Sequence, residues 1–102
     1  MSKRYLLVKL VSERPMSREQ FGDVMIDCVR RNFGEIGLSR IDPRIVRYDA
    51  NESRAIVACK TGGATELQAA MALISEASGT PIVPLVVRIS GTIKALGKKK
   101  TR

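Results

Sequence analysis

The chain has 102 residues, of which 18 are Lys or Arg and 10 are Asp or Glu, so its formal net charge is +8 at pH 7. Hydrophobic residues make up 44% of the sequence, and this composition and length fit one folded domain with a single core. The chain contains no His and only two cysteines, Cys28 and Cys59. These features exclude a metal site of the usual Cys and His spacing, and they remove the commonest general base of hydrolytic enzymes.

The apolar residues are not arranged for a membrane. The sequence contains no run of 18 apolar residues, and Lys3 and Arg4 are followed by a short apolar segment that lacks a small-residue cleavage site. We therefore expect a cytoplasmic protein that has no membrane partner.

The first third of the chain predicts a strand and a helix. Residues 4–12 are rich in β-branched and apolar side chains, and Lys9 marks the less buried face of this strand. Ser17 and Gln20 have the spacing of a capping box, which predicts that a helix begins there. Apolar residues, including Cys28, then recur on one side of that helix, and Gly34 suits its C-terminal end.

The middle of the chain predicts a hairpin and a second helix. Residues 43–49 and 54–60 form two short strands around turn-forming residues 50–53, and Cys59 falls in the second of these strands. A Thr-Gly-Gly turn leads into residues 64–77, where apolar side chains repeat at helical spacing until Gly79. Residues 81–89 then predict a final strand. Both cysteines are expected to be small core residues rather than nucleophiles.

The order of elements is strand, helix, strand, strand, helix, strand. This order predicts an α+β fold of the ferredoxin-like, RNA-recognition-like type, with a four-stranded antiparallel sheet and both helices on one face. Right-handed crossovers place the first and third strands in the middle of the sheet. We expect this domain to occupy residues 1–91, with the other sheet face left for a partner, and a basic C-terminal arm to follow over residues 92–102.

The basic arm and the end of the last strand carry most of the net charge. Residues 88–102 hold six Lys or Arg and no acid, so residues 1–87 carry 12 minus 10, or +2. Such a cation is stabilised by a polyanion, whose phosphates it neutralises. The turn around Gly91 is expected to hold the arm, with that glycine free to take positive φ. A solubilising terminus remains the alternative.

The aromatic residues do not favour base stacking. The chain has four aromatics, none of them in residues 54–60, and only Tyr5 in the first strand. Contact with the RNA backbone and shape is therefore expected rather than readout of splayed bases, and packing is expected for Tyr5 and Tyr48. Further cations cluster around the second and third strands, and the sequence does not decide whether they share one face: Arg40, Arg44, Arg47, Arg54 and Lys60.

Two other motifs offer weaker alternatives. The Thr61-Gly62-Gly63 turn at a helix start can bind a phosphate, but it lacks the Lys and Ser or Thr of a nucleotide-binding loop, so a plain turn is expected. Asp23 and Asp27 lie four residues apart on one helix and can hold Mg²⁺, but a solvated face is expected. The sequence therefore predicts no catalytic residue and no metal ligand in this chain.

Several segments resemble one known family, archaeal ribonuclease P protein component 2, which is related to a small subunit of eukaryotic ribonuclease P and its sister particle. The similarity extends over nearly the whole chain. Its most specific part is residues 88–96, Arg-Ile-Ser-Gly-Thr-Ile-Lys-Ala-Leu, before the Lys run. Other matching segments are residues 3–5, residues 33–37, and residues 66–67 with 70–74.

The resemblance implies a subunit of the endonuclease that removes the 5′ leader of precursor tRNA. It implies that the RNA subunit and its Mg²⁺ perform the cleavage, so whether the chain alone counts as an enzyme is left open. The residues expected on this reading to bind RNA, by neutralising its phosphates as it folds, are Arg88, Ser90, Thr92, Lys94, Lys98, Lys99 and Lys100. The resemblance also implies a TIM-barrel-like protein partner that forms a heterodimer with this chain, and two such heterodimers can join. Together the two proteins support the catalytic domain of the RNA. The alternatives are a small regulatory or ligand-binding module, served by the Thr61-Gly62-Gly63 turn, and an independent nuclease that uses Asp23 and Asp27.

Overall fold

The structure is a computed structural model that describes residues 2–98, with side chains described as far as Leu96. Within that range the chain forms five strands, three helices and a 3₁₀ turn. No helix in the described range is both long enough and apolar enough to span a bilayer. The elements are β1 (Lys3–Ser12), α1 (Arg18–Ile41), β2 (Arg44–Asp49), β3 (Arg54–Lys60), the 3₁₀ turn (Thr61–Gly63), α2 (Ala64–Leu73), β4 (Glu76–Ala77), β5 (Thr80–Ser90) and α3 (Ile93–Lys98).

The sheet is antiparallel throughout, in the order β2-β3-β1-β5-β4. The α+β class, the antiparallel pairing and the interior positions of β1 and β3 are confirmed. The predicted count of four strands is wrong, because the short strand β4 pairs with the start of β5 and makes a fifth.

One face of the sheet, here called the inner face, is covered by α1 and α2. Alternate residues of the strands point to it because successive side chains of a strand lie on opposite faces. In β1 these are Leu6, Val8 and Leu10, which join buried residues of both helices in one hydrophobic core. The opposite face of the sheet is called the outer face.

The helix α1 begins as predicted but ends later. Ser17 and Gln20 form the capping box, with distances of 3.0 Å from the Gln20 amide to Ser17 Oγ and 2.9 Å from the Ser17 amide to Gln20 Oε1. Gly34 interrupts the helix with φ 74° and ψ 177°. The chain then resumes a helical course to Ile41, and the Asp42 amide donates to the Leu38 carbonyl at 2.8 Å. The prediction that this helix ends at Gly34 is therefore wrong.

The helix α2 is shorter than predicted. It ends at Leu73, and Ile74 is already extended. Ala77 pairs with Thr80 across a two-residue turn in which Ser78 and Gly79 both have positive φ, at 53° and 79°, as a type I′ hairpin turn requires. Ile74 and Ala77 are buried, so their spacing fits a helix and this hairpin equally well.

The pairing of β1 with β5 contains one irregularity. Val8 pairs with Val86 and Leu7 pairs with Arg88, so Val87 is left without a partner in the ladder. This arrangement is a β-bulge, in which one strand carries an extra residue.

The helix α3 lies against the outer face. Leu96 is 1% exposed, and Ile93 and Leu96 line one pocket together with Leu7 and Ile56. Its other lining residues are Ala55 and the charged residues Arg47, Asp49, Glu52 and Arg54. The outer face is therefore partly covered by the stretch that the sequence analysis assigned to a basic arm. The division of the chain at residue 91 stays a prediction.

Candidate nucleic-acid interface

The outer face collects cations from four strands. Residues paired across antiparallel strands share a face, so the pairs Lys9 with Arg54 and Leu7 with Arg88 place these side chains opposite the core. The same register adds one acid, Asp49. The cations of the outer face are Lys3, Lys9, Arg44, Arg47, Arg54, Lys60 and Arg88. The question left open by the sequence is thereby answered for the cations of β2 and β3.

Two of these cations are turned toward other groups. Arg44 Nε lies 3.2 Å from Asp42 Oδ1, and Lys60 Nζ donates to the Ser39 carbonyl at 3.4 Å. By contrast, Lys3, Lys9 and Arg47 are exposed, and none of them has an ion-pair partner among the described residues. These three exposed side chains are therefore available to an external anion.

Arg40, the fifth cation noted around these strands, does not belong to the outer face. Its Nη1 lies 2.6 Å from Glu66 Oε1, which joins α1 to α2 on the inner side. The hydrogen bond and the charge of this partner raise the pKa of Arg40, and the hydrogen bond from Arg40 lowers the pKa of Glu66 below its ordinary range. This pair links the helices instead of forming part of the cationic surface.

The predicted RNA-binding residues around Gly91 form a hydrogen-bonded turn. Ser90 pairs with Tyr5 on the outer face, and its Oγ accepts from the Thr92 amide at 3.2 Å. Thr92 Oγ1 accepts from the Ala95 amide at 3.2 Å and so caps the start of α3. Lys94 is exposed on the first turn of that helix. Ser90 and Thr92 thus set the position from which Lys94 projects.

The remaining predicted cations of the tail fall at or beyond the limit of the described side chains. The backbone of Lys98 is the last residue of α3, and Lys99 and Lys100 lie outside the described residues. Their assignment to RNA binding stays a prediction.

Arg88 combines a surface position with a buried polar atom. Its side chain is partly exposed, but its Nε is buried and has no hydrogen-bond partner among the described residues. Buried nitrogen donors in folded proteins are nearly always paired. An acceptor brought by a bound molecule would satisfy this one.

The strand β1 supplies two cations that the sequence analysis did not assign to the site. Lys3 and Arg4 line a cleft with Tyr5 and Gly91. A Cβ atom added at Gly91 would lie 3.1 Å from Arg4 Nη1, so this glycine lets the guanidinium come close to the backbone. The described glycines with positive φ do not include Gly91. The expectation that the turn uses a positive φ at Gly91 is therefore wrong. Antiparallel pairing of β1 with β5 brings the start of β1 close to Gly91. This proximity could not be predicted from the sequence alone.

The aromatic side chains contribute little stacking surface. Tyr48 lies on the inner face, where its hydroxyl donates to the Met16 carbonyl and burial raises its pKa. Packing of Tyr48 is therefore confirmed. Tyr5 lies on the outer face and is half-buried. The centre of that face is occupied by Ile93 and Leu96, so it presents an aliphatic surface where RNA-recognition modules place aromatics.

The weaker alternatives have structural explanations. A Cβ atom at Gly63 would lie 2.8 Å from Ile41 Cα, so the second glycine of the turn allows α1 to pack closely. Asp27 is engaged by Arg31, whose Nε lies 2.9 Å from Asp27 Oδ2. Among residues 2–98, no group of three or more acidic or Cys side chains comes together as a metal site.

The two cysteines are core residues, as predicted. Both are 2% exposed, and neither forms a disulfide. Cys28 Sγ donates to the Ala70 carbonyl at 3.3 Å, which joins the two long helices. Burial raises the pKa of the Cys59 thiol, which favours its protonated form and a packing role.

Together these features define a small α+β protein with helices on one sheet face and a cationic surface on the other. A profile of the Rpp14/Pop5 family matches residues 4–100. The chain therefore belongs to the Rpp14/Pop5 family, which confirms the resemblance.

The most similar relatives include subunits of ribonuclease P. The chain is 26% identical over 97 residues to ribonuclease P protein component 2 of Pyrococcus furiosus, covering 95% of this chain and 81% of that protein. It is 30% identical to the protein of the same name from Methanosarcina acetivorans, covering 95% and 72% respectively. A chain in the cryo-EM structure of yeast ribonuclease MRP has a TM-score of 0.74, 9% identity, and coverage of 98% and 92%. This last similarity shows the fold alone.

Proposed function

We propose that this protein is the subunit of ribonuclease P that binds and stabilises the catalytic domain of the RNA subunit. The complex removes the 5′ leader of precursor tRNA, which this chain contacts only indirectly. The observation that carries the proposal is the outer face, where the strand register gathers seven cations and one acid. Such a surface neutralises closely spaced phosphates and releases their counterions.

The proposed contact is with the RNA backbone rather than with bases. Lys3, Arg47 and Lys94 are exposed, and Arg47 lines the pocket beside α3, so these cations would meet phosphates on the outer face. A phosphate oxygen near Arg88 would accept from its unpartnered Nε. The arm residues Lys98, Lys99 and Lys100 would extend this contact beyond α3. Base-specific readout is not required for this mode.

In this proposal, the RNA subunit and the Mg²⁺ that it binds perform the cleavage. The chain supplies no His, and the paired carboxylate of Asp27 supports a solvated, structural role for the acids of α1. The protein then acts by screening phosphate repulsion as the RNA folds. It is not itself the nuclease.

The proposal also includes the finer fold and the partner. We assign the chain to the ferredoxin-like, RNA-recognition-like class, with the β4 hairpin as an addition to its four main strands. A TIM-barrel-like protein component forms a heterodimer with it, and two such pairs form a heterotetramer. The complex acts in the cytoplasm.

Reconstitution with the RNA subunit and the TIM-barrel-like component tests this function through cleavage of precursor tRNA at modest Mg²⁺. Deleting residues 90–102 would uncover Leu7 and Ile56, which pack against α3, so charge reversal is a cleaner change. The outer-face variant combines Lys3→Glu, Arg47→Glu and Lys94→Glu. The control variant reverses three helix cations, Arg30, Arg31 and Arg40, and so changes the net charge equally.

The outer-face variant is expected to slow cleavage by roughly tenfold or more, because three phosphates would no longer be neutralised by the protein. Added Mg²⁺ should restore part of the rate, because it screens the same repulsion. The control variant should retain most of the wild-type rate, since exposed ion pairs stabilise little. Cleavage by the outer-face variant at the wild-type rate would refute the proposed interface.

A further inference from the structure

The pocket beside α3 on the outer face is small and partly aliphatic. Its aliphatic lining comes from Leu7 and Ile56 of the sheet and from Ile93 and Leu96 of α3. Its volume is about 130 Å³. Pockets that enclose a drug-sized ligand or a cofactor are larger, at roughly 300–1,000 Å³. This pocket therefore suits one small ring system rather than a whole coenzyme.

Four charged side chains of both signs complete the lining, beside the turn that joins β2 to β3: Arg47, Asp49, Glu52 and Arg54. None of the four forms an ion pair with another described residue. Asp49 and Arg54 are direct cross-strand partners, a position in which opposite charges attract. Asp49 Oδ1 instead accepts from the Glu52 amide at 3.1 Å. The charges of the lining are thus available to a bound molecule.

The mixture of signs disfavours the simplest ligands. A divalent cation would be attracted by the two carboxylates but repelled by the two guanidinium groups at close range. A bare phosphate would meet the opposite combination. The ligand that fits must instead offer apolar faces to the aliphatic lining, and both hydrogen-bond donors and acceptors at its edges.

A nucleobase has this combination of surfaces, and guanine matches the lining best. Its N1 and its 2-amino group are adjacent donors that suit one carboxylate, and its O6 and N7 are adjacent acceptors that suit one guanidinium group. No other RNA base has adjacent donors on one edge and adjacent acceptors on another. Guanine can therefore use both signs of charge in this pocket at once.

The surroundings of the pocket favour a base that belongs to an RNA chain. Lys9 is the cross-strand partner of Arg54, and Lys94 follows Ile93 on α3. Both lysines are exposed, and neither lines the pocket. They would neutralise phosphates on either side of a bound base, which a free base does not carry.

We infer that the pocket beside α3 binds one unpaired guanine base. The inference deepens the proposed function and rests on it, because the RNA subunit is the molecule that supplies the guanosine. The aliphatic lining then holds a single base where RNA-recognition modules use aromatic side chains. The cations of the outer face bind the neighbouring phosphates. The helix α3 is thus part of a binding site and not only a cover for the sheet.

Fluorescence anisotropy with three single-stranded RNA probes tests the inference. The first probe is a uridine oligonucleotide, and the other two carry one guanosine or one adenosine at its centre. Methyl NMR of Ile56, Ile93 and Leu96, recorded with guanosine and uridine monophosphates, reports whether a base enters the pocket.

The pocket variants are Glu52→Gln alone and Glu52→Gln combined with Asp49→Asn. These changes keep the side-chain sizes and remove only the carboxylates. The matched control combines Asp27→Asn with Glu35→Gln. It changes the charge equally, and its two carboxylates lie on α1, where they pair with arginines of the same helix. Circular dichroism checks that each variant is folded.

The guanosine probe is expected to bind the wild-type chain about fivefold or more tightly than the uridine probe, as for a bidentate base contact. Guanosine monophosphate should shift the three methyl signals more than uridine monophosphate does. The double pocket variant should bind the two RNA probes within about twofold of each other, because a neutral amide is a weaker partner for two donors than a carboxylate. The control should keep the wild-type preference.

Three results would overturn the inference. They are equal binding of the guanosine and uridine probes by the wild-type chain, equal binding of the guanosine and adenosine probes, and an unchanged guanosine preference in the double pocket variant. Methyl shifts with guanosine monophosphate but no preference among the RNA probes would assign the pocket to a free nucleotide, and would overturn the assignment to RNA.

Binding of the RNA subunit separates failure of this inference from failure of the proposed function. A wild-type chain that binds the RNA subunit at low salt but shows no preference for the guanosine probe would refute the pocket alone. A wild-type chain that does not bind the RNA subunit at low salt would refute the proposed function, whatever the pocket binds.

Discussion

The inner and outer faces of the sheet are built from alternate residues of the same strands, yet their chemistry is opposite. In β1, Leu6 and Val8 join the buried core, whereas Lys3 and Lys9 are exposed on the other side. The inner face is covered by two long helices. The outer face is covered in part by the short helix α3, and cations surround it.

This difference predicts that stability and the proposed RNA binding are separable in this protein. Hydrophobic burial is concentrated on the inner face, where it stabilises the fold. Charge is concentrated on the outer face, where it contributes little to folding and, in the proposed function, much to the binding of a polyanion. Substitutions on the two faces should therefore change different measurements.

The largest expected effect is on the inner face. Leu6→Ala should lower the free energy of unfolding by about 3 kcal/mol, because Leu6 is fully buried and its loss leaves a cavity. Leu7→Ala, one residue along on the half-buried outer face, should cost about 1 kcal/mol. Urea denaturation of the two variants measures this contrast. Equal losses would show that α3 buries the outer face as fully as α1 and α2 bury the inner one.

The next effect is on RNA affinity. The outer-face variant with Lys3, Arg47 and Lys94 changed to Glu should bind the RNA subunit about 100-fold more weakly at low salt. The slope of log K against log salt concentration should fall in magnitude by about 2, because three cations no longer displace counterions from the RNA. Filter binding at several salt concentrations measures both quantities. The variant that reverses Arg30, Arg31 and Arg40 should keep the wild-type slope.

A smaller effect is expected at Tyr48, an aromatic residue that lies on the inner face and not on the proposed RNA-binding face. Tyr48→Phe removes the hydroxyl that donates to the Met16 carbonyl. The free energy of unfolding should fall by about 1 kcal/mol, the usual contribution of one hydrogen bond. RNA affinity should not change. A loss of RNA binding with unchanged stability would instead assign this ring to the nucleic-acid interface.

The smallest effect concerns the pair of Arg40 and Glu66 on the helix side. The hydrogen bond from Arg40 lowers the pKa of Glu66 in the folded protein, so this contribution to stability is present above the ordinary carboxyl pKa. It is lost as the pH falls through the lowered value. Between about pH 5 and pH 3, wild-type stability should therefore decrease more than that of Glu66→Gln. Parallel curves in acid denaturation would contradict a stabilising role for the pair.

The sequence was sufficient to predict four of the five strands, because their apolar pattern and turn residues are local signals, whereas the short β4 was missed. β3 was predicted with its observed bounds, and the capping box identified the start of α1. The ends of α1 and α2 were missed for a physical reason. Gly34 adopts a positive φ without ending the helical course, and the buried pair Ile74 and Ala77 satisfies helical spacing while lying in an extended segment.

The candidate site was predicted only in part. The local charge of the tail identified Arg88 and Lys94, but the family resemblance was needed to connect them with ribonuclease P. The outer-face positions of Arg44, Arg47 and Arg54 depend on strand register, which long-range pairing sets. The helix α3 was missed because only six residues form it and its two apolar anchors, Ile93 and Leu96, lie among the cations of the tail in sequence.

The β-bulge at Val87 determines how the charge of β5 is used. Strict alternation from Ile82, Pro84 and Val86 would aim Arg88 at the hydrophobic core, where an unpaired guanidinium costs several kcal/mol. The extra residue at Val87 shifts the alternation of side chains by one position. Ile82, Pro84 and Val86 therefore face the helices, whereas Arg88 faces the outer side of the sheet. A single backbone offset thus lets one continuous strand serve both purposes.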